Sequence, residues 1–84
     1  MRNNEKLQEI FSKALELPLE KINDDLAYTS VPQWDSVSHM ALIAALDEGF
    51  GLMIETDDVI GMSSFGKARE ILAKYGVAFE TVTV

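Results

Sequence analysis

The segment Ser36-Val37-Ser38-His39-Met40-Ala41-Leu42-Ile43-Ala44-Ala45-Leu46-Asp47-Glu48-Gly49-Phe50 is the strongest constraint on the fold. It opens at an Asp35-Ser36 pair, whose side chains suit a helix start. It then runs without proline to a glycine stop at Gly49-Phe50-Gly51. At about 100° per residue, Leu42, Ile43, Leu46 and Phe50 share one side of this helix. Val37, Met40, Ala41, Ala44 and Glu48 share the opposite side. A chain of 84 residues buries only about 60% of its unfolded surface and can cover one such side. The bulkier set is the expected core face, and the other apolar side is left over.

The remaining chain supplies helices to pack against that core face. Asn3 or Asn4 caps a first helix, with Glu5 favouring its positive end. Leu7, Ile10, Phe11, Ala14 and Leu15 form its apolar stripe, and Pro18 stops it. Leu19 to Gln33 is a long polar connection with turn clusters at Asn23-Asp24-Asp25 and Thr29-Ser30-Val31-Pro32. Ile22, Leu26 and Val31 should pin it to the core, with a helical turn from Ile22 to Leu26. Trp34 reads as a packing residue for this connection. Thr56 can cap a short helix holding Asp57, Asp58, Val59 and Ile60, ended by Gly61. Ser63 or Ser64 caps a last helix with Phe65, Ala68, Ile71, Leu72 and Tyr75 inward, ended by Gly76. Val77 to Val84 has β-branched residues but no strand to pair with, so it reads as a tail with Phe79 touching the bundle. The expected architecture is all-α: a small four-helix bundle of three main helices and one short one, with residues 1–76 as the domain and 77–84 as the tail.

Charge narrows the function. Fourteen acidic residues against seven basic ones give a net −7, which disfavours nucleic acid and anionic membrane surfaces. No Lys or Arg lies between Lys21 and Lys67, while Asp24, Asp25, Asp35, Asp47, Glu48, Glu55, Asp57 and Asp58 do. A one-signed middle third suits docking to basic partners. The absence of cysteine removes disulfides, thiolate metal sites and a cysteine nucleophile. No run approaches the ~18 apolar residues of a membrane span, and the N-terminal residues lack a leader-like apolar core, so a cytoplasmic monomer is expected.

Ser36 is the residue whose placement suggests chemistry. At the first turn of a helix its hydroxyl lies near unsatisfied N–H groups and the positive end of the helix dipole. A phosphoester there would have its charge stabilised. Asp35 beside it suits a divalent cation or a basic enzyme surface. Read alone, Asp35-Ser36 is a helix cap. The apolar residues Val37, Met40, Ala41 and Ala44 that follow, flanked by Asp47 and Glu48, add a surface fit for an apolar partner with a basic rim. Asp35, Ser36 and His39 cannot easily adopt the order of a hydrolytic triad on one helix, and no Gly-x-Ser-x-Gly elbow is present. No catalytic residues are expected. Glu55, Asp57 and Asp58 are explained by the helix dipole, so no metal site is expected. His39, the sole histidine, falls at the edge of the core within reach of a group on Ser36.

Asp35-Ser36-Val37, then Leu42-Ile43-Ala44-Ala45-Leu46-Asp47-Glu48-Gly49-Phe50 and Ile54-Glu55-Thr56-Asp57-Asp58, resembles the acyl carrier protein family over about Leu7 to Tyr75. The resemblance implies that Ser36 carries 4′-phosphopantetheine, attached by a phosphopantetheinyl transferase from coenzyme A, and that its thiol holds acyl groups as thioesters. It implies that Asp35 helps present the serine and metal-bound coenzyme A. It also makes Val37, Met40, Ala41, Asp47 and Glu48 the docking face for acyl-loading and acyl-accepting enzymes with basic surfaces. Such a carrier is not itself an enzyme; it serves fatty acid, lipid or specialised metabolite biosynthesis.

Three departures stand out. Val37 replaces the usual Leu, Pro32 and Trp34 stand where a glycine-containing turn is common, and Ala41 stands where an acid is common. They lean towards a freestanding carrier of a specialised pathway, such as one making an envelope sugar, a modified lipid or a secondary metabolite. Two alternatives remain: an aminoacyl or peptidyl carrier, and an unmodified interaction module of the same fold.

Overall fold

A computed structural model of the chain describes residues 3–79. Helix α1 spans Asn3–Leu15 and buries Leu7, Phe11 and Leu15, spaced one turn apart. It ends before Pro18 requires it to. Glu16 adopts φ 55, and the Leu17 N–H reaches back to the Ser12 carbonyl at 3.0 Å, a Schellman-type closure that tucks Leu17 under the core. The Ser12 hydroxyl donates to the Leu17 carbonyl as well. The connection that follows contains a 3₁₀ turn at Leu19–Lys21, earlier than the turn expected from Ile22 to Leu26. Ile22 and Leu26 are buried, and Val31 packs against the core half-buried.

Helix α2 is Ser36–Phe50, α3 is Thr56–Gly61 and α4 is Phe65–Lys74. Gly51 closes α2 with φ 67. Gly49 serves packing instead. A Cβ there would lie 2.6 Å from Ile10 Cδ1, so the small residue lets α1 and α2 approach closely. Leu42, Ile43 and Leu46 of α2 are buried, as are Phe65, Ala68, Ile71 and Leu72 of α4. Phe11 joins three parts of the core. Its ring meets Trp34 edge-on at 5.5 Å and Phe65 at 5.0 Å, a favoured aromatic arrangement. Every wholly buried residue described is hydrophobic.

Helix α4 is capped by the Ser64 hydroxyl, which accepts from the Lys67 N–H at 2.9 Å. The connection before α2 is stitched to this cap. Tyr28 N–H donates to the Ser63 carbonyl at 2.8 Å and Phe65 N–H to the Leu26 carbonyl at 2.9 Å, forming an isolated antiparallel bridge between Ala27 and Ser64. Among the described residues there is no strand. Gly76 turns the chain with φ 94, and the residues after it return to the bundle. Val77 and Phe79 lie against the core, Phe79 meets Phe50 at 6.3 Å, and the Asn3 side-chain amide donates to the Ala78 carbonyl at 2.5 Å. The rest of the expected tail, 80–84, lies outside the described residues. The described residues form an all-α fold of four helices, with a radius of gyration of 11.8 Å that matches the about 12 Å of a compact chain this long.

Candidate functional site

Asp35 caps α2: its Oδ1 accepts from the Ser38 N–H at 2.9 Å, from an extended backbone. That backbone bond, with help from the Ser38 hydroxyl and the Val37 N–H, holds the Asp35 carboxyl below the usual carboxylate range. Ser36 is therefore the first helical residue, not the cap. It is exposed, and its hydroxyl has no hydrogen-bond partner among the described residues. No acidic side chain stands in the first turn after the cap, so the helix dipole there is opposed only by Asp35.

The two sides of α2 divide sharply. Val37 is 79% exposed and Met40 59%, and Ala41, Ala44 and Glu48 are exposed with them. Leu42, Ile43 and Leu46 are buried on the other side, as their bulk required. Asp47 differs from its docking-face companions. It is half-buried, and its Oδ1 accepts from the Ile54 N–H at 3.0 Å, holding the connection to α3. Only Glu48 of the two acids is fully displayed.

Half-buried His39 reaches from α2 to α3, and the segment it holds displays Met53, which the sequence did not single out. His39 Nε2 bonds the Val59 carbonyl at 2.8 Å, which places α3 beside the start of α2. Met53 and Ile60, on the segment so attached, are 88% and 76% exposed. Ile60 was assigned to the helix body, and its exposure follows from α3 using only Val59 against the core. His39 is not available to a group on Ser36, because its other nitrogen accepts from the Trp34 indole N–H at 2.9 Å. This also dismantles any triad with Asp35, whose carboxylate faces Ser38.

The acids before α4 are partly spent within the fold. Asp24 pairs with Arg69 at 2.6 Å. Asp58 pairs with Lys74 at 2.5 Å and accepts from the Tyr75 hydroxyl at 2.5 Å. Lys74 first, then Tyr75, holds the Asp58 carboxyl below its ordinary range; Asp58 in turn raises both Lys74 and Tyr75. Glu55, not Thr56, precedes α3, and it gives no side-chain cap. Among the described residues no three His, Cys, Asp or Glu side chains gather around one point. No helix among them is long and apolar enough to cross a membrane. A shallow concavity of about 870 Å³ lies between the start of α4, Asn4 and Phe79. Neither Ser36 nor any exposed residue of α2 lines it.

No family model, curated protein or solved structure matches this chain. Its function has to come from its own residues: among the described residues, an unpaired hydroxyl at a helix start, beside an apolar helix face left exposed.

Proposed function

We propose that the protein is a carrier that holds acyl groups as thioesters on a 4′-phosphopantetheine arm at Ser36 and presents them to partner enzymes. One observation carries this reading. The exposed, unpaired Ser36 hydroxyl stands at the same end of α2 as the uncovered Val37 and Met40. The residues fit such a group. A phosphodiester on Ser36 would meet the positive end of a 15-residue helix, with open solvent for the arm to extend into. The arm supplies the thiol that a cysteine-free chain lacks.

The chain's own residues do the presenting. Asp35 fixes the first turn, so the serine oxygen is held on a rigid element rather than on a loop. Val37, Met40, Ala41 and, from α3, Ile60 offer apolar contact. Glu48 on α2, with Glu55 and Asp57 at the start of α3, is exposed, and this negative charge favours enzymes whose docking surfaces are basic. A phosphopantetheinyl transferase would be the first of these partners. The acyl-carrier-like fold and a role in lipid or specialised metabolite biosynthesis belong to the same proposal.

The test is direct. Incubation with coenzyme A, magnesium and a broad-specificity transferase should add the mass of one arm to the wild-type chain and nothing to Ser36→Ala. An unmodified wild type, or equal modification of both proteins, overturns the carrier reading and favours an interaction module.

A further inference from the structure

Helix α3 makes neither of its own caps. At its start the Glu55 side chain caps nothing, and the Glu55 N–H donates instead to the Tyr75 hydroxyl of the α4 end at 2.9 Å. At its other end Met62 has φ −81, not the left-handed turn of a glycine stop. The Val59 carbonyl receives only a long bond from the Met62 N–H, 3.4 Å, and a short one from His39 Nε2, 2.8 Å. Six residues with no wholly buried side chain do not hold a helix unaided. Side chains from outside it bond its backbone at each end, Tyr75 at the start and His39 at the finish.

His39 is fixed from behind as well. Trp34 is 0% exposed, and a buried indole N–H, which can only donate, needs an acceptor. His39 Nδ1 is that acceptor, at 2.9 Å. With Nδ1 accepting, the ring proton sits on Nε2 and is directed at Val59. The demand of Trp34 thus selects the tautomer that caps α3.

We propose that His39 is a positioning residue that makes the attachment of α3 and the packing of the turn ahead of Ser36 one event. If α3 leaves, Nε2–H loses its acceptor; if Trp34 shifts, the capping tautomer is no longer selected. His39 lies three residues after Ser36 and next to Met40 on the chain, and it grips α3 next to the exposed Ile60. A partner enzyme seated on Met40 and Ile60 is therefore registered at Trp34. That last consequence rests on the carrier reading, whereas the coupling itself does not.

The experiment uses the unmodified full chain, so its outcome is independent of whether Ser36 accepts an arm. Imidazole ¹H–¹⁵N spectra should show the Nε2–H tautomer alone. His39→Phe should raise amide exchange across 56–61 by about tenfold or more, the scale of losing a hydrogen bond to a buried group, while Leu7, Phe11 and Leu72 stay protected. His39→Gln, whose amide can both accept and donate, should recover part of that protection. Tyr75→Phe, which loosens the far end of α3, should move the single Trp34 indole signal in wild type and leave it unmoved in a His39→Phe background. An Nδ1–H or mixed tautomer, a uniform rise in exchange along the chain, or an indole signal indifferent to Tyr75→Phe overturns the coupling. In transferase kinetics, His39→Phe should raise KM for the protein with kcat retained, since Asp35 and Ser36 are untouched; an unchanged KM overturns the link to docking.

Discussion

Helices α2 and α3 are joined by the His39–Val59 bond and are held by opposite means. α2 is locked by volume: Leu42, Ile43 and Leu46 are buried against the core, and Gly49 lets α1 close on it to within contact of Ile10. α3 buries no residue wholly and is held by His39, Tyr75, Lys74 and the Asp47 bond to Ile54. Apolar burial contributes roughly 1.5–3 kcal/mol per large side chain and is undirected, so α2 can lose one contact and stay. α3 depends on a few directed bonds, each of which a single substitution can remove. The proposed carrier role would use both qualities: a rigid post for the serine, and beside it an element of low local stability that can respond to partners.

That contrast can be broken most forcefully in the core. Phe11→Ala should cost about 3–5 kcal/mol, a large share of the stability of a chain this size, with α1, α2 and α4 lost together in denaturant titration. Loss of α3 alone would mean that Phe11 is not the hub its contacts with Trp34 and Phe65 suggest. Next in size is pH. The depressed Asp58 carboxyl contributes fully above the ordinary carboxylate value of about 4 and ceases to as pH falls through its lowered one. The raised Lys74 and Tyr75 contribute below their ordinary values of about 10 and cease to as pH rises through their elevated ones. Protection of α3, corrected for intrinsic exchange, should therefore fall outside the window from about pH 4 to about pH 10, while core amides near Leu46 hold. Tyr75→Phe at neutral pH should speed exchange several-fold at 55–61 and leave the main unfolding midpoint little changed. Smallest for the fold is Met40→Glu. It should change stability by no more than about 0.5 kcal/mol yet sharply reduce transfer to partner enzymes. A large loss of stability would place Met40 in the core and reverse the two faces of α2.

What the sequence made legible follows from what is local. Asp35 and Ser64 cap within three residues of themselves, and the faces of α1, α2 and α4 follow from spacing, so both could be read directly. The bonds that hold α3 could not. His39 and Val59 are 20 residues apart, as are Glu55 and Tyr75, and no periodicity announces such pairs. Thr56 looked like a cap because threonine usually is one, but the Tyr75 hydroxyl reaches the preceding N–H instead. Asp47 looked like a docking acid because it flanks the apolar face and because the family resemblance implied it; the returning chain at Ile54 gave its carboxylate a nearer use. For the candidate site, Ser36, Val37 and Met40 could be placed from helix register. Met53 and Ile60 could not, since their exposure depends on how α3 is pinned.

The bond between the Asn3 amide and the Ala78 carbonyl has a consequence for architecture on a larger scale. It brings Asn3 and Ala78, near the two ends of the described chain, together, and Phe79 lies against Phe50, at the opposite pole of α2 from Ser36. At about 1.5 Å per residue, that helix separates the two poles by about 20 Å. Polypeptide entering at residue 3 and leaving after residue 79 shares one small doorway, so the fold can be spliced into a host chain, tethered or permuted there, while Ser36 stays exposed at the far pole.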